Sequence, residues 1–215
     1  MTRGGLVPIP DRRTISLVTI AAGRGVPSSS RLLADQLTSA VRHSLRLTGI
    51  EAEVHVVELR EYAHDIVDAL LDPFPDSRLA QVFERIREAD AVVAVTPIFN
   101  MGPSGLFKTF VDAGDKDLWE NKPLLLGATA GTSRHSLAID FAIRPLFSYL
   151  RARVVPTAVF AASADLGAAS PTEIDGDPLW QRAQRAATEL LDLLEVGRTS
   201  RPTFPATPAE FDPGS

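Results

Sequence analysis

The 215-residue chain contains no cysteine. That excludes disulfide scaffolds, thiolate metal centres and cysteine nucleophiles. Its 4 histidines are scattered, with no HxH or HxxxH pair, so a histidine-rich metal centre is not expected either. No run of ~18 apolar residues occurs, and no segment reads as a membrane span. Residues 1–13, MTRGGLVPIPDRR, lack the apolar core of a secretory signal, which makes the cytosol the expected compartment. Basic charge is not in excess: the formal net charge is −5. Nucleic acid is therefore not an expected partner, because non-specific binding needs a basic patch that displaces counterions. Also missing are GxSxG, GxGxxG and GxxxxGK[ST], which argues against a hydrolase elbow, a wrapped dinucleotide and a P-loop.

What is present is an ordinary globular composition, 45% hydrophobic and 23% charged, enough to bury a core. Residues 1–13 and the proline-rich stretch 198–215 read as a flexible segment and an irregular tail around one domain, 14–197. Inside it, strand and helix patterns alternate. Strands are expected at Thr14–Ile20, Ala52–Leu59, Ala91–Thr96, Pro123–Thr129 and Val154–Phe160. Helices are expected at Ser28 to about Thr48, Arg60–Leu71, around Leu79–Ile86 with Asp76 or Ser77 as cap, Pro103–Ala113, Arg134–Leu150 with a bend at Arg144-Pro145, and Asp177–Val196. Five β/α units predict an α/β, three-layer flavodoxin-like sandwich with a parallel sheet in order 2-1-3-4-5. The polar alternation of the second strand and Pro156 in the fifth place these two at the edges.

In such a sheet ligands bind beyond the carboxyl ends of the strands, where strand order reverses. The loop after strand one, residues 21–31, carries two glycines, Ser28, Ser29 and Ser30, and Arg24 and Arg31 at a helix N-terminus. These suit a phosphate, although serine also caps helices routinely. The loop after strand three, Thr96-Pro97-Ile98-Phe99-Asn100-Met101-Gly102-Pro103-Ser104-Gly105-Leu106-Phe107-Lys108, is too apolar for a plain surface loop and suits a planar ring. The loop after strand four offers Thr129, Gly131, Thr132 and Ser133, small or hydroxylated residues that permit close backbone approach. No nucleophile–base–acid set accompanies them.

Together, Gly23-Arg24 followed by Ser28-Ser29-Ser30-Arg31, and Thr96-Pro97-Ile98-Phe99-Asn100 followed by Gly105-Leu106-Phe107-Lys108, resemble the NAD(P)H-dependent FMN reductase family. The resemblance extends to actinobacterial-type members paired with luciferase-like monooxygenases. It implies FMN as cofactor and NADPH or NADH as electron donor, with a flavin-dependent monooxygenase as partner and a homodimer or homotetramer. It implies that Ser28, Ser30 and Arg31 hold the FMN phosphate and that Pro97, Ile98, Phe99, Asn100 and Met101 line the ring. Thr129, Gly131, Thr132 and Ser133 would close the other side. Arg24 counts as cofactor-binding by its charge and loop position, a candidate with Arg134 and His135 for the 2′-phosphate of NADPH. Phe99 stands where most of the family has tyrosine. No catalytic side chain and no metal are expected, since the flavin carries the chemistry. Phe107, Phe110 and Trp119 are the aromatics considered for a subunit interface. Quinone or azo reduction on the same fold, and a non-enzymatic electron carrier, are the alternative readings.

Overall fold

The structure is a computed structural model that describes residues 14–71, 77–166 and 178–199. The expected N-terminal segment, the C-terminal tail and a cap at Asp76 lie outside the described residues. In chain order the regular elements are β1 (Thr14–Ala21), α1 (Ser29–Leu47), β2 (Glu51–Glu58), α2 (Ala63–Leu71), α3 (Ser77–Glu88) and β3 (Ala91–Phe99). They continue with β4 (Gly102–Pro103), α4 (Gly105–Ala113), β5 (Pro123–Ala130), α5 (Arg144–Tyr149), β6 (Arg153–Val154), β7 (Val159–Ala162), α6 (Ser163–Leu166) and α7 (Pro178–Thr199).

The β-branched and apolar runs of β1, β3 and β5 form the buried centre of a parallel sheet. Its order is β2-β1-β3-β5-β6, with β7 also pairing with β5. Registers such as Leu17↔Ala91 and Val92↔Leu124 bring the carboxyl ends of β1, β3 and β5 to one rim. Both faces are covered. Leu33, Leu37 and Val41 of α1 and Leu179, Ala183 and Leu190 of α7 pack on one. Ile66 of α2, Ile86 of α3, Phe110 of α4 and Phe147 of α5 pack on the other. This is the expected three-layer sandwich, with the second and fifth strands at the edges. Helix α1 approaches β5 closely: a Cβ on Gly127 would lie 2.9 Å from Leu37 Cδ1.

Four local expectations are corrected. The fifth strand is two pieces, because Pro156 has no N–H to give a ladder. The break is held by side chains. Arg144 donates to the carbonyls of Val155 and Pro156, each at 2.9 Å. Glu189 accepts from the Thr157 N–H at 2.6 Å and from its hydroxyl at 2.7 Å. The helix expected over 134–150 is a 3-10 turn at Ser133–His135, a π turn at Ile139–Ile143 and then α5. Pro145 cannot donate within the ladder, and the Arg144 N–H reaches back to Ile139 O, one residue further than in an α-helix. The helix after strand three starts at Gly105 rather than Pro103, behind a hairpin described below. Phe107, Phe110 and Trp119 are 1%, 0% and 1% exposed, so they belong to the core and supply no interface.

Candidate functional site

A cleft of about 570 Å³ opens at the rim where strand order reverses between β1 and β3. Its lining comes from four strand ends: Gly23–Gly25 and Pro27–Ser30 after β1, Pro97–Phe99 at the end of β3, Thr129–Gly131 at the end of β5, and Ser163 after β7. The placement follows from the winding, since the loops of β1 and β3 diverge onto opposite faces and leave a crevice.

The β1 wall is the amino end of a 19-residue helix. Ser28 is its N-cap, in extended conformation, and its Oγ accepts the Arg31 N–H at 3.3 Å. That leaves the Ser28 hydroxyl proton and the first-turn N–H groups of Ser29 and Ser30 available to a ligand. No acidic residue sits in the first turn, so the positive end of the helix dipole is not neutralised locally. Ser30 Oγ and Thr129 Oγ1 share a buried hydrogen bond of 2.9 Å that fastens α1 to β5 across the cleft floor. Space for this turn depends on Gly23, where a Cβ would overlap Ser28 Oγ.

The β3 wall is a tight hairpin. Phe99 pairs with Gly102 and Ile98 with Pro103, antiparallel. Between them Asn100 and Met101 take φ of 49° and 68°, the all-positive geometry of a two-residue type I′ turn. Asparagine tolerates that region; methionine there is strained and must be held by its surroundings. The holding contacts are visible. The Ser104 N–H donates to Pro97 O at 3.0 Å and to Thr96 Oγ1 at 3.1 Å, and Ser104 Oγ caps α4 through the Phe107 N–H at 3.2 Å. The thioether of Met101 lies 3.2 Å from His135 Nδ1. The hairpin therefore presents Pro97-Ile98-Phe99 to the cleft as a stiff apolar edge.

Of the residues expected from sequence, Arg24, Ser28, Ser30, Pro97, Ile98, Phe99, Thr129 and Gly131 meet at the cleft. Asn100 and Met101 form the hairpin apex, and Thr132 and Ser133 follow Gly131 outside the lining. Arg31 is not brought there either. Its Nε donates to Asp35 Oδ1 at 2.9 Å and its Nη1 to Glu58 Oε1 at 2.6 Å. These carboxylates hold its proton more tightly, the Asp35 hydrogen bond most of all. Glu58 in turn is held below the usual carboxylate range, first by the hydrogen bond from Arg60 and further by Arg31. Arg31→Ala is accordingly expected to lower FMN and riboflavin affinity equally, by less than about 3-fold. It should cost at most ~1 kcal/mol of stability, as befits a half-exposed ion pair. Titration of both flavins against the variant checks this; a loss confined to FMN would return Arg31 to the phosphate.

Gly23, Gly25, Pro27, Ser29, Ala130 and Ser163 line the cleft without having been singled out as site residues. Ser163 was hidden by ending the fifth strand at Phe160. Carried across the Pro156 break to Ala162, that strand runs beside Thr129 and Ala130 and delivers Ser163 to the rim.

Only one lining residue, Arg24, is charged; no carboxylate lines the cleft among the described residues. A lone cation, a helix amino end rich in hydroxyls and an apolar edge together fit a ligand with a phosphate at one end and a planar ring at the other. A family model described as NADPH-dependent FMN reductase matches residues 15–167. The chain belongs to the NADPH-dependent FMN reductase family. Within that family it is similar to the NADH-dependent FMN reductase SfnF of Pseudomonas fluorescens, with 30% identity over 86% of this chain and 98% of the relative. It is 30% identical to an FMN reductase (NADPH) of Pseudomonas aeruginosa, over 80% of this chain and 88% of the relative. Among solved structures, an oxidoreductase from Corynebacterium diphtheriae superposes with a TM-score of 0.79 at 37% identity, covering 86% of this chain and 98% of that one. The match spans β1 to α6, so every wall of the cleft falls within the family's shared region.

Proposed function

We propose that the cleft binds FMN with its phosphate at the amino end of α1 and its ring against Pro97-Ile98-Phe99, in an NAD(P)H-dependent FMN reductase. The carrying observation is the polarity of the cleft: one cation and the uncapped N–H groups at one end, the apolar hairpin at the other, and no lining carboxylate among the described residues to repel a phosphate. When bound, FMN supplies the redox chemistry by exchanging a hydride with NAD(P)H. The chain's part is binding and orientation. Arg24, the Ser28 hydroxyl and the N–H groups of Ser29 and Ser30 take the phosphate. Ser30 and Thr129 spend one hydroxyl proton on each other and keep the other for the ligand. Thr129, Ala130 and Gly131 form the wall opposite the hairpin, where the absence of a Gly131 side chain leaves room for a ring edge.

This reading extends to the enzyme's setting. It works in the cytosol; among the described residues no helix is long and apolar enough to cross a membrane. It is a homo-oligomer, for which exposed Leu137, Phe141 and Met101 are better candidates than the buried Phe107, Phe110 and Trp119. It supplies reduced flavin to a flavin-dependent monooxygenase, for which a cleft with an exposed mouth at Arg24, Gly25 and Pro27 is suited.

The test is steady-state oxidation of NADPH and of NADH with free FMN, riboflavin or a quinone as acceptor. Oxidation that depends on added free FMN is expected. Oxidation only with a quinone and tightly retained FMN would favour quinone reduction, and no oxidation of either nucleotide would leave an electron carrier.

A further inference from the structure

Among the described residues, the one charged residue of the cleft is also the partner of its one aromatic residue. The Arg24 guanidinium lies over the Phe99 ring, 4.4 Å from the centroid. Both residues line the cleft. The contact therefore joins the loop after β1 to the hairpin after β3, the two walls between which a ligand enters. Arg24 forms no ion pair among the described residues, so the ring is what holds its head group. Phe99 itself is 38% exposed, and what lies over its ring is the exposed Arg24 guanidinium rather than the core.

Resting on the FMN reading of the cleft, we infer that Arg24 selects FMN over unphosphorylated flavins by what it covers as well as by what it binds. In the free protein the guanidinium occupies the Phe99 ring. A flavin that carries a phosphate to the amino end of α1 offers the guanidinium an anion, and its movement there uncovers the ring for the flavin to stack on. A flavin without a phosphate must displace the guanidinium and gives it nothing in return. The two effects differ in size and oppose each other for the two ligands. A charge-assisted bond to phosphate corresponds to roughly 10- to 150-fold in affinity. An exposed cation–π contact corresponds to about 2- to 5-fold. FMN gains the first and gives up the second, whereas riboflavin only gives up the second.

The experiment titrates FMN and riboflavin against the wild-type protein and Arg24→Met, which keeps a long apolar stem without the charge. Expected for the variant are an FMN affinity roughly 2- to 75-fold lower, the lost phosphate bond offset by the cation–π contact that no longer has to be broken, and a riboflavin affinity about 2- to 5-fold higher, with opposite signs. A second arm needs no substitution. Millimolar inorganic phosphate should draw Arg24 off Phe99 and raise riboflavin affinity of the wild type by about 2- to 5-fold over chloride at matched ionic strength. The same phosphate should leave riboflavin binding by Arg24→Met unchanged. Arg24→Met binding both flavins more weakly, or wild-type riboflavin binding that ignores phosphate, would overturn the inference while leaving the FMN reading in place. A wild-type protein that takes up neither flavin would overturn that reading itself.

Discussion

Gly23→Ala is expected to lower FMN affinity by about 100-fold or more and to cost roughly 2–4 kcal/mol of stability, far more than one methyl group costs at an open position. The reason is space rather than backbone conformation. A Cβ at this buried position would overlap Ser28 Oγ and come within 2.7 Å of Ser28 Cβ and 3.3 Å of Ser30 Cβ. The preceding residue cannot retreat, since the Ala22 N–H is tied to Val95 O of β3 at 2.9 Å. Ser28 must therefore leave its capping position, and the Arg31 N–H loses its acceptor. Loss of the cap accounts for about 1 kcal/mol and the forced shift for about 1–3 kcal/mol. The same shift removes the Ser28 hydroxyl and misdirects the first-turn N–H groups, at least two of the bonds assigned to the phosphate. A rescue separates crowding from general damage. Ser28→Gly deletes the two nearest of the three crowding atoms, so Gly23→Ala with Ser28→Gly should recover most of the stability and only part of the FMN affinity. Thermal melts with flavin titrations read both. A Gly23→Ala protein that binds FMN like the wild type would remove Ser28 from the site.

The second large effect is on the fold alone. Phe147→Ala is expected to cost about 3–5 kcal/mol, lowering the melting temperature by roughly 6–20 °C for a domain of this size. Phe147 is completely buried on α5. Its ring meets Trp119 edge-on at 5.1 Å and Phe107 of α4 at 6.1 Å. Three aromatics from three segments thus close one corner of the core. A cavity there cannot collapse easily, because α4 is anchored through Ser104 to Thr96 on the central strand β3. Calorimetry of the variant checks the magnitude. A loss below ~1 kcal/mol would mean that the 133–149 segment adjusts independently of the sheet.

How much of this was legible in the sequence differs from element to element, and each difference has a cause. β1 is short and rich in β-branched residues and β3 and β5 are largely apolar, as the middle of a parallel sheet requires, so their central place could be read from the sequence, while the order 2-1-3-4-5 follows from the flavodoxin-like winding they fit. The loops after them carried serines before a helix and an apolar stretch where solvent should be, and those became two walls of the cleft. Elsewhere, tertiary partners decided. The hairpin after β3 was invisible because its turn residues are Asn100 and Met101 while the glycine, Gly102, falls one position late for the familiar Asn-Gly pattern. What imposes it is Thr96 and Ser104, eight residues apart. The fifth strand continued past Pro156 only because Arg144 and Glu189 come from other elements to satisfy the broken stretch.

Arg31 is the instructive case. Its place three residues after the cap, beside serines, resembles a phosphate ligand. Asp35, four residues on along the same helix face, was in plain view as a competing partner. Glu58 was not, because its proximity depends on the parallel register that sets it opposite Ala21 at the end of β1. Two carboxylates against one arginine settle where the guanidinium points. Arg24, with no carboxylate beside it among the described residues, is left as the cation of the cleft.

The most direct measurement is a crystal structure of the protein with FMN. The account expects the phosphate at the amino end of α1, within hydrogen-bonding distance of Ser28, the Ser29 and Ser30 N–H groups and Arg24, with the isoalloxazine ring between Pro97-Ile98-Phe99 and Thr129-Ala130-Gly131. A phosphate held instead by Arg31, with the ring away from the hairpin, would contradict it.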